Sequence, residues 1–338
     1  MSCNASTYAI TVVIPTVMSP WTMQWALPRL LVSVLRSSLL RHPQSQVIMN
    51  HGTVASYDSR ELLDKKVLKR LGVRPKLARP ERQPMIEHVF GPRAETFAAS
   101  RFFAAATARN DIIVTFDDDL LNYQLDTLLK ELVCGVAKET GFPNYTASRP
   151  GLHGNQERFC DAFGYDSVPR SAKNRNRTEY RHRTPNLVLT NFAAFSRVLA
   201  RRFVEKFDNW YGDFIHRSRG NGEDILFADA AWRLGSGSHM HHLGSHAGAL
   251  HTLVPSNASY SRVSNHYAVR RALCCCVASM GTTGGGSAVM SSEPSARMLG
   301  AQLARCVFEA SDMCPSAEDG HCVRTRPTGG LGWQSISA

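Results

Sequence analysis

Apolar residues in the first part of the chain follow two spacings, one typical of buried strands and one typical of helices. Ala9 to Ile14 is short, continuous and rich in β-branched residues, which predicts a buried parallel strand that ends at Pro15. Residues 27–40 carry apolar side chains at helical spacing, and Gln46 to Met49 predicts a second strand that ends in a turn at 50–52. This alternation favours an α/β fold with a mostly parallel central sheet flanked by helices.

The next unit places a group of carboxylates at the end of a strand. An alanine-rich segment from Ala94 to Arg109 predicts a helix. It leads into Ile112 to Phe116, a continuous apolar segment that predicts another buried strand. Three consecutive aspartates follow this strand directly: Asp117, Asp118 and Asp119.

The later part of the chain predicts a second ordered block and then a loss of regular structure. Leu187 to Thr190 predicts a strand and Ala194 to Phe207 a helix. Gly222 to Leu234 predicts a further helix, which is apolar on almost all sides and should therefore be buried. Residues 278–338 begin with a stretch rich in Gly, Ser and Thr. We predict one ordered domain over residues 7–277, followed by a low-complexity, partly disordered appendage.

Composition limits the classes of function that fit. With 338 residues, of which 43% are hydrophobic, the chain is long enough to bury a full core. Its formal net charge of +11 favours anionic partners, a group that includes nucleotide diphosphates, acidic glycans, membrane surfaces and nucleic acids. No apolar window is long enough to predict a membrane span in this chain, and we see no signal peptide or anchor in it.

A polar stretch over residues 149–183 predicts a long surface loop. Its last part concentrates six basic residues: Arg170, Lys173, Arg175, Arg177, Arg181 and Arg183. The loop either binds an anionic acceptor or is a solvated surface, and the sequence leaves both interpretations open. Nucleic-acid binding fits poorly, because aromatic residues are scarcely interleaved with these charges and no RNA-recognition signature is present. We therefore predict no nucleic-acid partner.

The acidic triplet predicts a site for a divalent cation. Adjacent carboxylates repel one another, and a cation is the natural compensating charge. Mn²⁺ and Mg²⁺ prefer oxygen ligands and commonly use one or two protein carboxylates, which leaves positions for substrate phosphates. Open α/β sheets also place ligands at the carboxyl ends of their strands. A solvated acidic turn is the structural alternative. A P-loop phosphotransferase does not fit, because the GxxxxGK[ST] loop is absent.

A second acidic pair, Glu223-Asp224, opens the predicted buried helix. Carboxylates at a helix N-terminus are favoured by the helix dipole, so helix capping and chemistry are both open interpretations. If the two acidic sites meet in one cleft, the first would bind a leaving diphosphate. The second would then face an anomeric carbon, where positive charge develops in the transition state.

Several histidines lie close together late in the chain and add a further candidate for the metal site. The cluster comprises His239, His241, His242, His246 and His251. One of them, with His241 as the example to test, would complete the coordination of the cation, or the cluster is a polar strand edge and loop. The sequence leaves both hypotheses open.

These segments resemble the catalytic domain of the exostosin-like glycosyltransferases, which have the GT-A fold. The resemblance covers residues 7–277 and rests on the ordered segments TVVIPT, QVIMNHG, IIVTFDDDL, LVLTNFAAFSR, NGEDILFADAAWRLG and YSRVSNHYAVRRALCCCV. It implies a GT-A-like nucleotide-sugar-binding domain. It also implies Mn²⁺-assisted transfer, with retention of configuration, of N-acetylglucosamine or N-acetylgalactosamine from a UDP-sugar to a glycan acceptor in the Golgi or ER lumen.

The resemblance assigns roles to individual residues. It implies that Asp119 is the principal metal ligand and that Asp117 lies near the metal, the ribose and the donor sugar. Asp224 would be the catalytic carboxylate, with Glu223 beside it. The implied nucleotide-sugar contacts are Pro15, Thr16, Asn50, Arg101, Asp117, Asp118 and Asn191.

Two positions depart from the family pattern. Gly222 stands where the family has a cysteine, so Cys276 lacks its expected partner. His266 falls at the position of a late arginine that assists the leaving group, and we take it as a catalytic candidate although Arg262, Arg270 and Arg271 lie nearby. These departures keep open the alternative of a non-catalytic carbohydrate- or nucleotide-binding relative. An inverting transferase of the same fold, with Asp224 as general base, is a separate alternative.

Overall fold

The computed structural model of the chain describes residues 4–16, 22–51, 64–72, 85–90, 98–122, 124–138, 145–147, 190–207, 211–217, 220, 222–233, 240–241, 250–252, 270 and 273. The predicted basic loop, the Cys274-Cys275-Cys276 run, the 278–338 appendage and His266 lie outside these residues. Within the described part of the chain, no helix combines the length and the apolar character needed to cross a membrane.

A seven-stranded sheet forms the centre of the molecule. The nine described strands are β1 (Ile10–Thr16), β2 (Gln46–His51), β3 (Met85–Phe90), β4 (Ile112–Phe116), β5 (Leu120–Asn122), β6 (Tyr145–Ala147), β7 (Phe192–Ser196), β8 (Met240–His241) and β9 (Leu250–Thr252). The strand order in the large sheet is β3-β2-β1-β4-β7-β6-β8, and β5 pairs with β9 in a separate ladder. Only β7 of the seven runs against the others, so the predicted α/β class with a mostly parallel sheet is confirmed.

Helices pack on both faces of this sheet. The described α-helices are α1 (Leu27–Arg36), α2 (Lys65–Arg70), α3 (Ser100–Thr107), α4 (Leu125–Lys138), α5 (Arg197–Lys206), α6 (Gly212–Arg217) and α7 (Glu223–Arg233). One core joins one face of the strands to α3, α5, α6 and α7, with the Phe102 ring stacked on the Phe227 ring at a centroid distance of 4.1 Å. A second core joins the opposite face to α1 and α4. Because both faces are covered, the central strands β1 and β4 are mostly apolar and almost entirely buried, as buried parallel strands are.

Two strands run further than the sequence predicted. β1 continues through Pro15 to Thr16, although proline was expected to end it. The described ladder between β1 and β4 ends at Val13, so the missing N–H of Pro15 interrupts no pairing on that side. β2 also continues through Asn50 and His51, where a turn was expected, because β1 and β3 remain paired with it on both sides. These extensions carry polar residues to the carboxyl edge of the sheet.

The largest error of the sequence prediction concerns residues 194–196. Ala194 to Phe207 was predicted as one helix, whereas the structure has strand β7 up to Ser196 and begins α5 at Arg197. Ala194 and Phe195 are fully buried between β4 and β6, and this pairing overrides the helical preference of alanine. The Ser196 hydroxyl then caps α5 by accepting a hydrogen bond from the Leu199 N–H at 3.3 Å.

The predicted helices are otherwise present but shorter. α1 ends at Arg36 instead of residue 40, since Ser37 leaves helical geometry and its hydroxyl donates to the Asp126 carboxylate. α7 agrees with its prediction to within one residue at each end, and Ile225 to Ala231 are all buried. The strand over Ile112 to Phe116 has the predicted bounds.

Candidate functional site

The carboxyl ends of the central strands bring four of the predicted site residues into one row. Asn50 of β2 is in register with Pro15 of β1. Val13 pairs with Thr115 of β4, which sets Pro15 level with Asp117 two residues further along. The Asp117 N–H donates to the Asn191 carbonyl at 2.8 Å, which extends the row to the start of β7. The edge where α/β sheets bind ligands therefore presents Asn50, Pro15, Asp117 and Asn191 side by side.

Unmet hydrogen-bonding capacity is concentrated in this row. The Asn50 side chain is fully buried, yet neither its Oδ1 nor its Nδ2 has a hydrogen-bond partner among the described residues. The Asn191 Oδ1 is also without one in that part of the chain. An unpaired buried amide costs about 1–3 kcal/mol, so such groups call for an explanation. A polar ligand at this edge would satisfy both side chains.

Arg101 near the start of α3 ties the triplet to the protein. Its guanidinium Nη1 lies 2.7 Å from the Asp117 Oδ1, and the Arg101 side chain is only 5% exposed. The same Nη1 donates to the Thr190 carbonyl at 2.7 Å, and the Arg101 Nε donates to the Ala98 carbonyl at 2.9 Å. Asp117 is thus held by an arginine whose donors bind groups within the protein.

The second acidic pair lies at the N-terminal end of α7. Asp224 is buried, and its Oδ1 accepts a hydrogen bond from the Ile225 N–H at 2.9 Å. Its Oδ2 forms an ion pair with the Nη2 of Arg270, which is equally buried. A buried carboxylate and a buried guanidinium in direct contact compensate each other's charge and fix each other's position.

The two acidic sites face the same guanidinium. Burial works to lower the pKa of Arg101, but the charges of Asp117, Glu223 and Asp224 outweigh it and raise the pKa above its ordinary value. Asp117 and the Glu223-Asp224 pair, far apart in sequence, are therefore neighbours in space. The hypothesis that both acidic sites meet in one place agrees with this geometry.

The ionisation of Glu223, which lies next to Asp224, is also affected by this cluster. Burial, followed by the adjacent charge of Asp224, raises the pKa of Glu223 from 4.5 to about 7, while Arg101 and Arg270 act in the opposite direction. A carboxyl group with a pKa near neutrality exchanges its proton readily in the range where most enzymes work.

The raised pKa of Glu223 predicts how stability depends on pH. Between its ordinary pKa of 4.5 and about 7, the folded state keeps a proton that the unfolded state has lost. The free energy of unfolding therefore falls as pH rises through this window and is level above it. Glu223→Gln should remove this contribution, so that the variant matches the wild type at pH 4 and is more stable at pH 8. Guanidinium unfolding across this range, with the exposed Glu205→Gln as control, measures the difference; parallel curves would contradict it.

Glycine at position 222 is required for the start of α7. Gly222 has φ +91°, and a Cβ placed there would lie 2.7 Å from the Leu273 Cδ2 and 3.1 Å from the Phe214 ring. Here the family pattern has cysteine, and the close packing of Leu273 and Phe214 explains why a side chain does not fit in this chain.

Substitution of Gly222 should be costly for two separable reasons. We expect Gly222→Ala to lower the free energy of unfolding by about 2–4 kcal/mol, through backbone strain and overpacking together. Gly72→Ala is the matched control, because Gly72 has φ +67° and a methyl group added to it would meet no atom within 4 Å. It should cost only the strain, about 1–2 kcal/mol. Equal losses in the two variants, measured by chemical denaturation, would show that the contacts at Gly222 do not matter.

The triplet can hold a divalent cation if the substrate completes the coordination. Asp117, Asp118 and Asp119 are all partly exposed. Across the residues that the structure describes, no group of three His, Cys, Asp or Glu side chains is placed to hold a metal alone. Mn²⁺ and Mg²⁺ are commonly bound by one or two carboxylates together with phosphates and water, so the donor set fits them.

The two described histidines of the late cluster lie at different distances from the triplet. His241 of β8 is level with Val114, three strands away across β7 and β6, which separates the two backbones by about 14 Å. His251 of β9 is instead paired with Leu121, two residues after Asp119. The register thus argues against His241 as a metal ligand and makes His251 the member of the cluster to consider.

Arg270 is the site residue that sequence reasoning did not select. His266 was chosen by a simple offset and lies outside the described residues, whereas Arg270 directly contacts Asp224. The available signal was physical: a carboxylate predicted on a buried helix needs a cationic partner, and Arg270 was among the three nearby arginines. Position alone did not distinguish these candidates.

Comparisons with known proteins give matches to structures only. No protein-family model matches the chain, and no curated protein sequence matches it significantly. It is similar to a solved structure of the mannosyltransferase PcManGT from Pyrobaculum calidifontis in complex with GDP-Man and Mn²⁺. The two are 14% identical with a TM-score of 0.46, and the match covers 91% of this chain and 76% of that one.

Two further solved structures show a similar degree of likeness. TarS residues 1–349 from S. aureus is 12% identical, with a TM-score of 0.45 and coverage of 90% of this chain and 82% of that one. Glucosyl-3-phosphoglycerate synthase from Mycobacterium tuberculosis, in complex with Mn²⁺, UDP and glucosyl-3-phosphoglycerate, is 17% identical with a TM-score of 0.42. That match covers 79% of each chain.

Proposed function

We propose that the chain is a metal-dependent glycosyltransferase that moves a sugar from a nucleotide-sugar donor to a glycan acceptor. The observation that carries this proposal is the meeting of Asp117 with Glu223 and Asp224 around Arg101. A nucleotide sugar needs two kinds of stabilisation when its glycosidic bond breaks. Positive charge must stabilise the departing diphosphate, and negative charge must stabilise the positive charge that develops at the anomeric carbon. This edge of the sheet offers groups for both.

In this proposal, the acidic triplet binds the cation that stabilises the departing diphosphate. Asp119, with Asp117, would hold Mn²⁺ or Mg²⁺, which when bound neutralises the charge of the departing diphosphate as a Lewis acid. Arg270 is a buried guanidinium of fixed position beside Asp224. It takes the leaving-group role that the sequence gave to His266, because a permanent cation near the reacting centre stabilises a diphosphate without gaining or losing a proton.

Asp224 is proposed to stabilise the positive charge that develops at the anomeric carbon. Its two carboxylate oxygens are oriented separately, one by the Ile225 N–H and the other by Arg270. A preoriented carboxylate needs no rearrangement when positive charge develops on the sugar ring, which is the condition for effective electrostatic stabilisation. We assign retention of configuration to the reaction through the resemblance to exostosin-like transferases. The inverting alternative would use Asp224 as the general base toward the acceptor hydroxyl.

The donor is proposed to be a UDP-sugar, with N-acetylglucosamine or N-acetylgalactosamine as the sugar. The Asn50 amide is fully buried and has no hydrogen-bond partner among the residues that the structure describes. It supports a nucleotide at this edge, since an amide offers both a donor and an acceptor to the edge of a base. We propose a glycan acceptor, which would be anionic if the 149–183 loop binds it. A secretory-pathway location is consistent with the disulfide that Cys134 forms.

Turnover of UDP-sugars tests the proposal and separates it from the binding-protein alternative. The protein is incubated with a panel of UDP-sugars, with Mn²⁺ or with EDTA, and released UDP is measured. We expect UDP release from UDP-N-acetylglucosamine or UDP-N-acetylgalactosamine that depends on the metal. Metal-dependent UDP binding without release would favour a non-catalytic relative. The anomeric configuration of the product, determined by NMR, distinguishes retention from inversion.

A further inference from the structure

Arg101 makes more contacts at the proposed site than its expected role requires. The sequence resemblance implied that it contacts the nucleotide, but its Nε donates to the Ala98 carbonyl, its Nη1 donates to the Thr190 carbonyl, and the same Nη1 forms an ion pair with Asp117. We propose that Arg101 is a positioning residue, which clamps Asp117 against the Thr190-Asn191 turn and so sets the geometry of the metal site. This inference rests on the proposed function and concerns how one of its two acidic sites is built.

The contacts of Arg101 close a ring around the ends of β4 and β7. One nitrogen, Nη1, lies 2.7 Å both from the Asp117 carboxylate and from the Thr190 carbonyl oxygen, so these two groups cannot separate without losing a contact. The Asp117 N–H binds the Asn191 carbonyl at 2.8 Å and completes the ring through the backbone. The position of Asp117 is thereby fixed at its side chain and at its main chain.

A second hydrogen bond fixes the far side of this clamp. The Thr115 hydroxyl also donates to the Thr190 carbonyl, at 2.7 Å, and Thr115 is fully buried. The carbonyl that anchors Arg101 is therefore itself anchored to β4. The Nε and Nη1 of Arg101 are therefore already engaged by the protein when a ligand binds at the open edge of the sheet. These observations favour a role through Asp117 over direct contact with the nucleotide.

The charge of Arg101 is also balanced within the protein. The carboxylates of Asp117, Glu223 and Asp224 all act on its guanidinium, so its positive charge is compensated inside the protein. The planar fork of a guanidinium reaches two acceptors in fixed directions, whereas the ammonium group of lysine is a single point charge. Arg101→Lys therefore keeps the positive charge but removes the planar group that reaches two acceptors in fixed directions, which makes it the informative substitution.

Arg197 provides a matched control at the opposite end of β4. Its Nη1 donates to the Ala108 carbonyl at 2.9 Å and its Nη2 lies 2.6 Å from the Asp111 Oδ1, which is the same combination of a carbonyl and a carboxylate. Asp111 precedes β4, whereas Asp117 follows it, so this clamp is remote from the proposed site. Arg197→Lys removes the same kinds of contact at a more exposed position and should leave ligand binding unchanged.

The test measures metal binding and nucleotide binding separately. Mn²⁺ affinity in the presence of UDP is determined by electron paramagnetic resonance, and UDP affinity in EDTA by calorimetry, for the wild type, Arg101→Lys and Arg197→Lys. We expect Arg101→Lys to weaken Mn²⁺ binding by about 10- to 100-fold, the range seen when groups that orient metal ligands are removed. Metal-free UDP affinity should stay within about twofold, and Arg197→Lys should change neither value.

Other outcomes of this experiment would contradict the positioning role of Arg101. An equal loss of metal-free UDP affinity in Arg101→Lys would show that Arg101 touches the nucleotide, and unchanged Mn²⁺ binding would show that it does not set the metal site. Either result overturns this inference alone. A wild type that binds neither ligand would overturn the proposed function as well. If Arg101→Lys does not fold, Thr115→Val tests the same clamp, and it should weaken Mn²⁺ binding while sparing metal-free UDP binding.

Discussion

Asp224→Asn is expected to lower kcat for UDP-sugar turnover by about 10²- to 10³-fold. The substitution preserves the shape of the side chain and removes the negative charge that would face the anomeric carbon. Because that charge is needed only as the glycosidic bond breaks, the affinity for UDP should change little. Steady-state kinetics with the preferred UDP-sugar, together with UDP binding by calorimetry, measures the two effects independently.

The same substitution should also destabilise the fold, which makes controls necessary. Loss of the Asp224 charge removes a charged group that contacts the buried Arg270, which should lower the free energy of unfolding by up to about 3–5 kcal/mol. Asp224→Glu keeps the charge for Arg270 but moves the carboxylate, so it should fold and still lose activity. Asp229→Asn alters a buried carboxylate of the same helix, which accepts a hydrogen bond from Tyr211 at 2.6 Å, and should retain kcat. Full activity in Asp224→Glu and Asp224→Asn would remove Asp224 from the mechanism.

Asp119→Asn should abolish most of the activation by Mn²⁺. A Lewis-acid cation contributes several kcal/mol to the stabilisation of a departing diphosphate, so we expect kcat/KM to fall by at least about a hundredfold at a fixed Mn²⁺ concentration. A neutral amide is a weaker ligand than a carboxylate, and a large excess of Mn²⁺ should restore part of the activity. A titration of activity against Mn²⁺ shows both the loss and the partial recovery.

Asp126→Asn is the control for the loss of an aspartate in the same region of sequence. Asp126 lies on α4 and accepts hydrogen bonds from the hydroxyls of Ser37 and Ser38, at the C-terminal end of α1. It should affect stability and leave the Mn²⁺ titration unchanged. A Mn²⁺ titration of Asp119→Asn that coincides with that of the wild type would place the cation elsewhere.

The position of the acidic triplet could be predicted because one local pattern determines it. Four of the five residues before Asp117 are apolar and all five are buried, which is typical of a strand covered on both faces. In a mostly parallel sheet, the end of such a strand is the edge where ligands bind. α7 was predicted for a similar reason, since a helix without a polar face has to be surrounded by protein.

The remaining features depend on contacts between distant parts of the chain. Ala194 and Phe195 would suit a helix, and only the pairing with β4 and β6 makes them a strand. Arg270 is one of several arginines near the end of the domain, and its contact with Asp224 follows from tertiary packing. Likewise, no local pattern shows that Arg101 contacts the Thr190 carbonyl. The chemistry of the site was therefore foreseeable in its residue types, whereas its supporting contacts were not.

A crystal structure of the protein with Mn²⁺ and an unreactive UDP-sugar analogue would show directly whether the acidic triplet and Asp224 act on one bound donor. Anomalous scattering locates the Mn²⁺ independently of the rest of the density. We expect Mn²⁺ in contact with Asp119 and the diphosphate, with the Asp224 carboxylate facing the anomeric carbon and Arg101 still bound to Asp117. Mn²⁺ and the nucleotide bound away from Asp117 to Asp119, or a sugar that does not approach Asp224, would contradict it.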